Sequence, residues 1–150
     1  MSFNHKLGRC GVYCGQCRSY TEEMVNAAKQ FKEWVEQDYS WLNDVEESFD
    51  YENFLKGIDW FIDSKCPGCR NSSIIWCEVK KCEKIQKDII DNCLVCEEFP
   101  KCAHTEYQRN RYSYLLTHLD YIKKNGLEKY LEEEEKKAEE GVRIQDIRDY

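Results

Sequence analysis

No stretch of this chain comes near the run of about twenty apolar residues that a membrane-spanning helix needs. Met1 to Gly8 run straight to the first cysteine with no apolar segment of signal-peptide length, so the expectation is a soluble, cytoplasmic protein. There is no helical H-E-x-x-H, no phosphate-cradling glycine-rich loop and no Ser/His/Asp grouping, so hydrolytic and transfer chemistry has no residues to name. No internal repeat is visible, and no strand pattern persists beyond a few residues. Excess positive charge is missing as well. A net charge of -7 repels a phosphate backbone and argues against nucleic acid as the main partner. The best basic face, Lys80, Lys81, Lys84 and Lys87, reads as solvated helix surface. A protein partner would suit a binding module, but partner, ligand and pathway are not legible.

What the chain has in quantity is cysteine. Cys10, Cys14 and Cys17 form C-x3-C-x2-C, Cys66 and Cys69 form C-x2-C, Cys77 and Cys82 follow, and Cys93 and Cys96 form a second C-x2-C before Cys102. A two-residue gap folds into a tight turn that aims both sulfurs at one point, and two such turns complete the tetrahedron that zinc prefers. Disulfides across segments are the competing reading. They suit a secreted domain, whereas a reducing cytosol keeps thiols available for metal. All ten cysteines are therefore expected to be metal ligands.

How they divide stays open. Ten thiols suffice for two four-ligand sites with two left over, or three sites if histidines or carboxylates contribute, His5 and His104 both being within reach; His118, in mid-helix, reads as an ordinary surface or packed side chain. Short loops favour closing Cys66, Cys69, Cys77 and Cys82 around one ion, with Cys93, Cys96 and Cys102 meeting Cys10, Cys14 and Cys17. Cys66, Cys69, Cys93 and Cys96 around one ion is an equally legible alternative.

Elsewhere the pattern is helical. Ser19 and Glu22 suggest a capping box before a helix over about residues 20 to 38, striped by Met24, Ala28, Phe31, Trp34 and Val35. Trp41, Leu42, Val45 and Phe49, then Phe54, Leu55, Ile58, Phe61 and Ile62, continue it with a break near Asp50. Val79, Cys82, Ile85 and Ile89 predict a short helix burying Cys82 and ending at Asn92. Thr105 and Gln108 suggest another capping box, ahead of Tyr112, Leu115, Leu119 and Ile122, with Asn125-Gly126 as the stop. A last helix from Leu127 carries Tyr130 and Leu131, and its run Glu132 to Glu135 reads as a solvated face; Gly141 closes it before a tail with Val142, Ile144 and Ile147.

The blocks Cys10-Gly11-Val12-Tyr13-Cys14-Gly15-Gln16-Cys17, Cys66-Pro67-Gly68-Cys69-Arg70, Cys77 to Cys82 and Asn92 to Cys102 resemble, in order, those of a cysteine-rich microbial family designated domain of unknown function 3795. His118 through Leu131 is similar to that family's C-terminal portion, and Lys101 stands here between Pro100 and Cys102, where members often have proline directly before the cysteine. The resemblance implies a zinc-type metal-binding protein and no particular reaction.

The sequence thus predicts a mainly α, single domain over 1-150 with little β structure: an N-terminal cysteine cluster (1-20), helices (20-63), metal-binding loops with a short helix (64-104), and C-terminal helices with a tail (105-150). Structural zinc, two or more ions, is the expected cofactor of a binding module that is not an enzyme; an iron–sulfur cluster serving electron transfer is the alternative. The C-x3-C-x2-C spacing matches radical S-adenosylmethionine enzymes, but the chain lacks their length and strand–helix alternation. Cys93 and Cys96 lack the βαβ context of a thiol-redox motif.

Overall fold

A computed structural model describes residues 4–73 and 77–147. Met1 to Phe3, at the start of the N-terminal segment, and Ile74 to Trp76, in the loop between Cys69 and Cys77, lie outside the described residues. Within them the protein is mainly α. The described residues form eight α-helices: α1 (Glu23–Asp38), α2 (Leu42–Val45), α3 (Tyr51–Asp63), α4 (Glu83–Gln86), α5 (Glu106–Arg111), α6 (Tyr114–Asn125), α7 (Leu127–Glu139) and α8 (Ile144–Ile147). Among the described residues there is no strand, and Leu7 and Tyr13 form an isolated antiparallel bridge. The chain divides into two compact units, Arg18–Cys66 and the remainder.

Arg18–Cys66 is a helical hairpin. Asp50 caps α3 by accepting a hydrogen bond from the Asn53 backbone N–H at 3.0 Å, which puts the break where the sequence indicates it. The capping box at Ser19 does not form. Instead the Ser19 carbonyl accepts from the Cys66 backbone N–H, Glu22 takes a left-handed conformation (φ 65°) and pairs with Lys65, and α1 starts at Glu23. Val25, Val35, Tyr51 and Ile58 are buried between the helices, Lys32 bridges to Asp59 at 2.7 Å, and Phe31 meets Phe54 edge-on. The expected stripe is only partly covered: Met24, Phe31 and Trp34 stay exposed. Two helices can bury only the surfaces that face each other.

The other unit is built around Leu7, Tyr13, Val79, Leu94, Phe99, Leu115, Leu119, Tyr130 and Leu131, all nearly or fully buried. Gly126 (φ 90°) turns the chain between α6 and α7, as Asn125-Gly126 predicts. The helix expected through Val79, Cys82 and Ile89 is broken at Cys82, whose extended backbone separates a 3-10 turn (Glu78–Lys81) from α4; Asp88 at φ 50° then ends the segment and leaves Ile89 exposed. Thr105 makes no capping bond to α5, because its hydroxyl donates to the carbonyls of Phe99 and Cys102 at 3.2 and 3.1 Å. The acidic run on α7 is not uniformly solvated. Glu134 is 2% exposed and accepts from Gln16 at 2.9 Å and from Lys137 at 2.6 Å, while Glu135 pairs with Lys6 and accepts from the Tyr13 hydroxyl. These bonds tie the segment around Cys14 and Cys17 to α7.

Candidate metal centre

The cysteines stand as thiols rather than in disulfide bonds, and nine of the ten lie in one unit; Cys66 closes the hairpin. A single local device presents most of them. Cys14 and Cys93 each open a 3-10 turn, and Cys17 and Cys96 close those turns with N–H···O bonds of 2.9 and 3.0 Å back to the carbonyls of Cys14 and Cys93. Cys77 and Cys82 flank the turn Glu78–Lys81, and Cys102 ends one 3-10 turn and begins the next. At Cys77, before its turn, and at Cys17, Cys82, Cys96 and Cys102, after theirs, the backbone is extended, with ψ between 117° and 126°. A 3-10 turn eclipses residues three apart, so both sulfurs of a C-x2-C pair leave on one side.

The loop Leu7–Tyr13 carries Cys10 to these turns. The Cys93 backbone N–H donates to the Arg9 carbonyl at 2.8 Å, and Gly11, at φ 95°, lies so close to Leu94 that a β-carbon would meet its Cγ at 2.6 Å. Gly8 likewise leaves room that a side chain would fill. A β-carbon there would stand 3.4 Å from the Cys69 sulfur and 3.5 Å from that of Cys10, so both sulfurs border the gap this glycine leaves. Arg70 fixes the strip beside Cys69 by donating to the Leu7 carbonyl at 2.7 Å and gripping Asp91 with two bonds of 2.8 and 2.7 Å. That grip holds the Asp91 carboxyl below the usual range.

The thiols influence one another. Burial pushes the Cys10 thiol up to about 12, and the charges of Cys69 and Cys77 add to the shift. Burial also raises Cys93, with Cys10, Cys102, Cys82 and Cys96 adding to it. Charge on Cys69 and Cys77 thus reaches Cys10, and charge on Cys10, Cys82, Cys96 and Cys102 reaches Cys93, so thiols of all four cysteine segments act on one another. Several sulfurs accept hydrogen bonds: Cys69 from the Arg9 backbone N–H at 3.1 Å, Cys17 from Gln145 at 3.5 Å, and Cys77 from Gln108 at 3.7 Å. Of the histidines, His104 faces Glu78 at 3.9 Å, His5 lies near Glu135, and His118 packs between Tyr114 and Tyr130.

Among the described residues, no three His, Cys, Asp or Glu side chains come close enough together to hold one metal ion. The donor set and its surroundings nevertheless fit a thiolate-bound metal. Gln108 Oε1 and the Tyr114 hydroxyl are buried without a hydrogen-bond partner among the described residues; Gln108 donates through Nε2 to the Cys77 sulfur, and charge on Cys10 and Cys17 reaches Tyr114. Buried polar atoms are seldom left unpaired, and these two stand in the unit that holds nine of the thiols. Gly8 and Tyr114 carry no signal in the sequence and Gln108 reads there only as part of a cap, since each matters here through a tertiary neighbour.

A family model described as a protein of unknown function, DUF3795, matches residues 6–107. No curated protein and no solved structure matches the chain.

Proposed function

This chain belongs to the DUF3795 family, and from that premise we propose that it is a zinc–thiolate protein of the reducing cytoplasm, a binding module rather than an enzyme. Cys10, Cys14, Cys17, Cys66, Cys69, Cys77, Cys82, Cys93, Cys96 and Cys102 are its pool of ligands, enough for two or more ions. The observation that carries this reading is the delivery of thiol after thiol, by 3-10 turns and the Leu7–Tyr13 loop, to one core. Zinc would supply cross-links between the short segments that carry Leu7, Val79, Leu94 and Phe99 into the core, and its binding energy would be folding energy. The test is elemental analysis with metal-to-protein stoichiometry on anaerobically purified protein. Zinc at two or more equivalents, with one lost in Cys93→Ser, is the expected result; a metal-free, cooperatively folded protein overturns it.

A second reading has its own observation. Three sulfurs, those of Cys69, Cys77 and Cys17, accept N–H···S bonds. Thiolates also hold iron–sulfur clusters, and hydrogen bonds to sulfur tune a cluster's potential. A brown, oxygen-sensitive preparation containing iron and sulfide would select this reading over zinc.

A further inference from the structure

We propose that the hairpin of α1 and α3 is a docking groove for a basic amphipathic helix of a partner protein. The proposal gives the binding-module reading a site and a class of partner, and it does not depend on which metal is bound.

The groove is built by register. Met24, Ala27, Ala28 and Phe31 stand at i, i+3, i+4 and i+7 on α1, and Phe54, Gly57, Ile58 and Phe61 repeat that spacing on α3. Two such stripes side by side make a trough of about 520 Å³ whose lining is almost wholly apolar. Its middle is shallow in side chain and its ends are bulky: Ala27, Ala28 and Gly57 lie between Phe31 with Phe54 at one end and Met24 with Phe61 at the other. A β-carbon on Gly57 would meet nothing within 4 Å. This is the shape left when a third helix is taken from a three-helix bundle, with room for its large side chains over the small residues.

Charge selects among occupants. Residues 18–66 carry seven more acidic than basic side chains, the chain's entire net charge of -7. Carboxylates stand near both ends of the trough: Asp63 two residues after Phe61 at one end, where Glu22 pairs with Lys65 and Glu23 with Arg18, and Asp50 and Glu52 before Phe54 at the other. Two of the nearby lysines are already paired, Lys32 with Asp59 and Lys65 with Glu22. A second copy would bring the same negative field against itself, whereas a helix with an apolar stripe and basic flanks meets both the lining and the charge.

The experiment titrates the 150-residue chain, as purified anaerobically, with three synthetic peptides. One is a Leu/Lys peptide with leucine at i, i+3, i+4 and i+7, the second a scramble of it, and the third a Leu/Glu version on the helical spacing. Trp34 and Trp60, both exposed on the hairpin, give a fluorescence readout beside calorimetry. The Leu/Lys helix should bind, weaken as salt is raised, and bind about tenfold or more weakly to Gly57→Leu, which fills the trough. Leucine is also the better helix former, so that variant should unfold no earlier than wild type. Equal binding of the scramble or of the Leu/Glu peptide, or unchanged binding by Gly57→Leu, overturns the proposal. So does a wild-type dimer that Gly57→Leu converts to monomer, because it gives the groove to a second copy. Metal content measured on the same samples separates the two readings: full metal without peptide binding sinks the groove alone, and peptide binding by metal-free protein sinks the zinc reading alone.

Discussion

Gly11 and His118 show how much single residues contribute around the thiols. At Gly11 two penalties would coincide in any larger residue: a φ of 95°, and overlap with Leu94 at 2.6 Å. Left-handed strain costs about 1–3 kcal/mol, and crowding a packed contact adds a similar amount. Gly11→Ala should therefore lose about 2–4 kcal/mol in urea unfolding, and a loss under about 0.5 kcal/mol would show that the loop simply moves. His118 lies with Nδ1 3.0 Å from the Tyr130 hydroxyl, between the rings of Tyr114 and Tyr130. Burial holds its pKa below 6.5; the nearby Glu134 opposes the shift and Lys137 adds to it. The folded state then binds a proton less readily than the unfolded chain. Its contribution is present in full above about pH 6.5 and declines as pH falls through that value toward the folded pKa. Between about pH 7.5 and 5.5, the melting temperature of wild type should drop more than that of His118→Phe. Parallel profiles would remove His118 as the cause.

At the scale of elements, the 3-10 turn is what the sequence half discloses. A C-x2-C spacing announces a tight turn, and Asn125-Gly126 and Asp50 announce their boundaries, because those signals are local and each residue acts on its own backbone. What stayed hidden is what depends on distant partners. Periodicity placed Val79 and Ile85 in the core, as found, but could not show that the backbone extends at Cys82 between them. A run of glutamates reads as solvated because nothing in it reveals that Gln16, Lys6 and Tyr13 turn two of them inward. The stripe on α1 was legible as apolar but not as exposed, since exposure depends on how many helices pack there. Asn92 shows a local signal put to a different use: instead of ending a helix, it begins the Cys93–Val95 turn by accepting the Leu94 backbone N–H at 3.0 Å, and it is fully buried. Asn92→Ala removes that cap and leaves a buried donor unpaired, so about 1–3 kcal/mol should be lost. If Cys93 and Cys96 depend on this turn, bound metal should fall in the same variant; full stability with full metal content would make the cap dispensable.

For the whole molecule, the decisive question is what the unit holding nine thiols does without metal. Its core is real but interrupted, because Leu7, Val79, Leu94 and Phe99 belong to loops and short turns rather than to long helices. Such segments gain little from helix propensity and depend on whatever fixes their ends. Structural zinc contributes on the order of 10 kcal/mol of apparent binding energy at neutral pH, about the size of a domain's entire stability. Chelation should therefore abolish hydrogen-exchange protection at Leu94, Leu119 and Leu131 together, including the two on helices that would be well formed if α6 and α7 stood on their own packing. In the hairpin, where Val25, Val35, Tyr51 and Ile58 supply the buried contacts, protection should be modest beforehand and little changed afterwards. Protection that survives complete metal removal at Leu94 would mean apolar packing alone organises the cysteine turns, and zinc would lose its structural role. Protection lost equally in both units would mean that they unfold as one, and that metal binding reaches the hairpin through the chain or through Cys66.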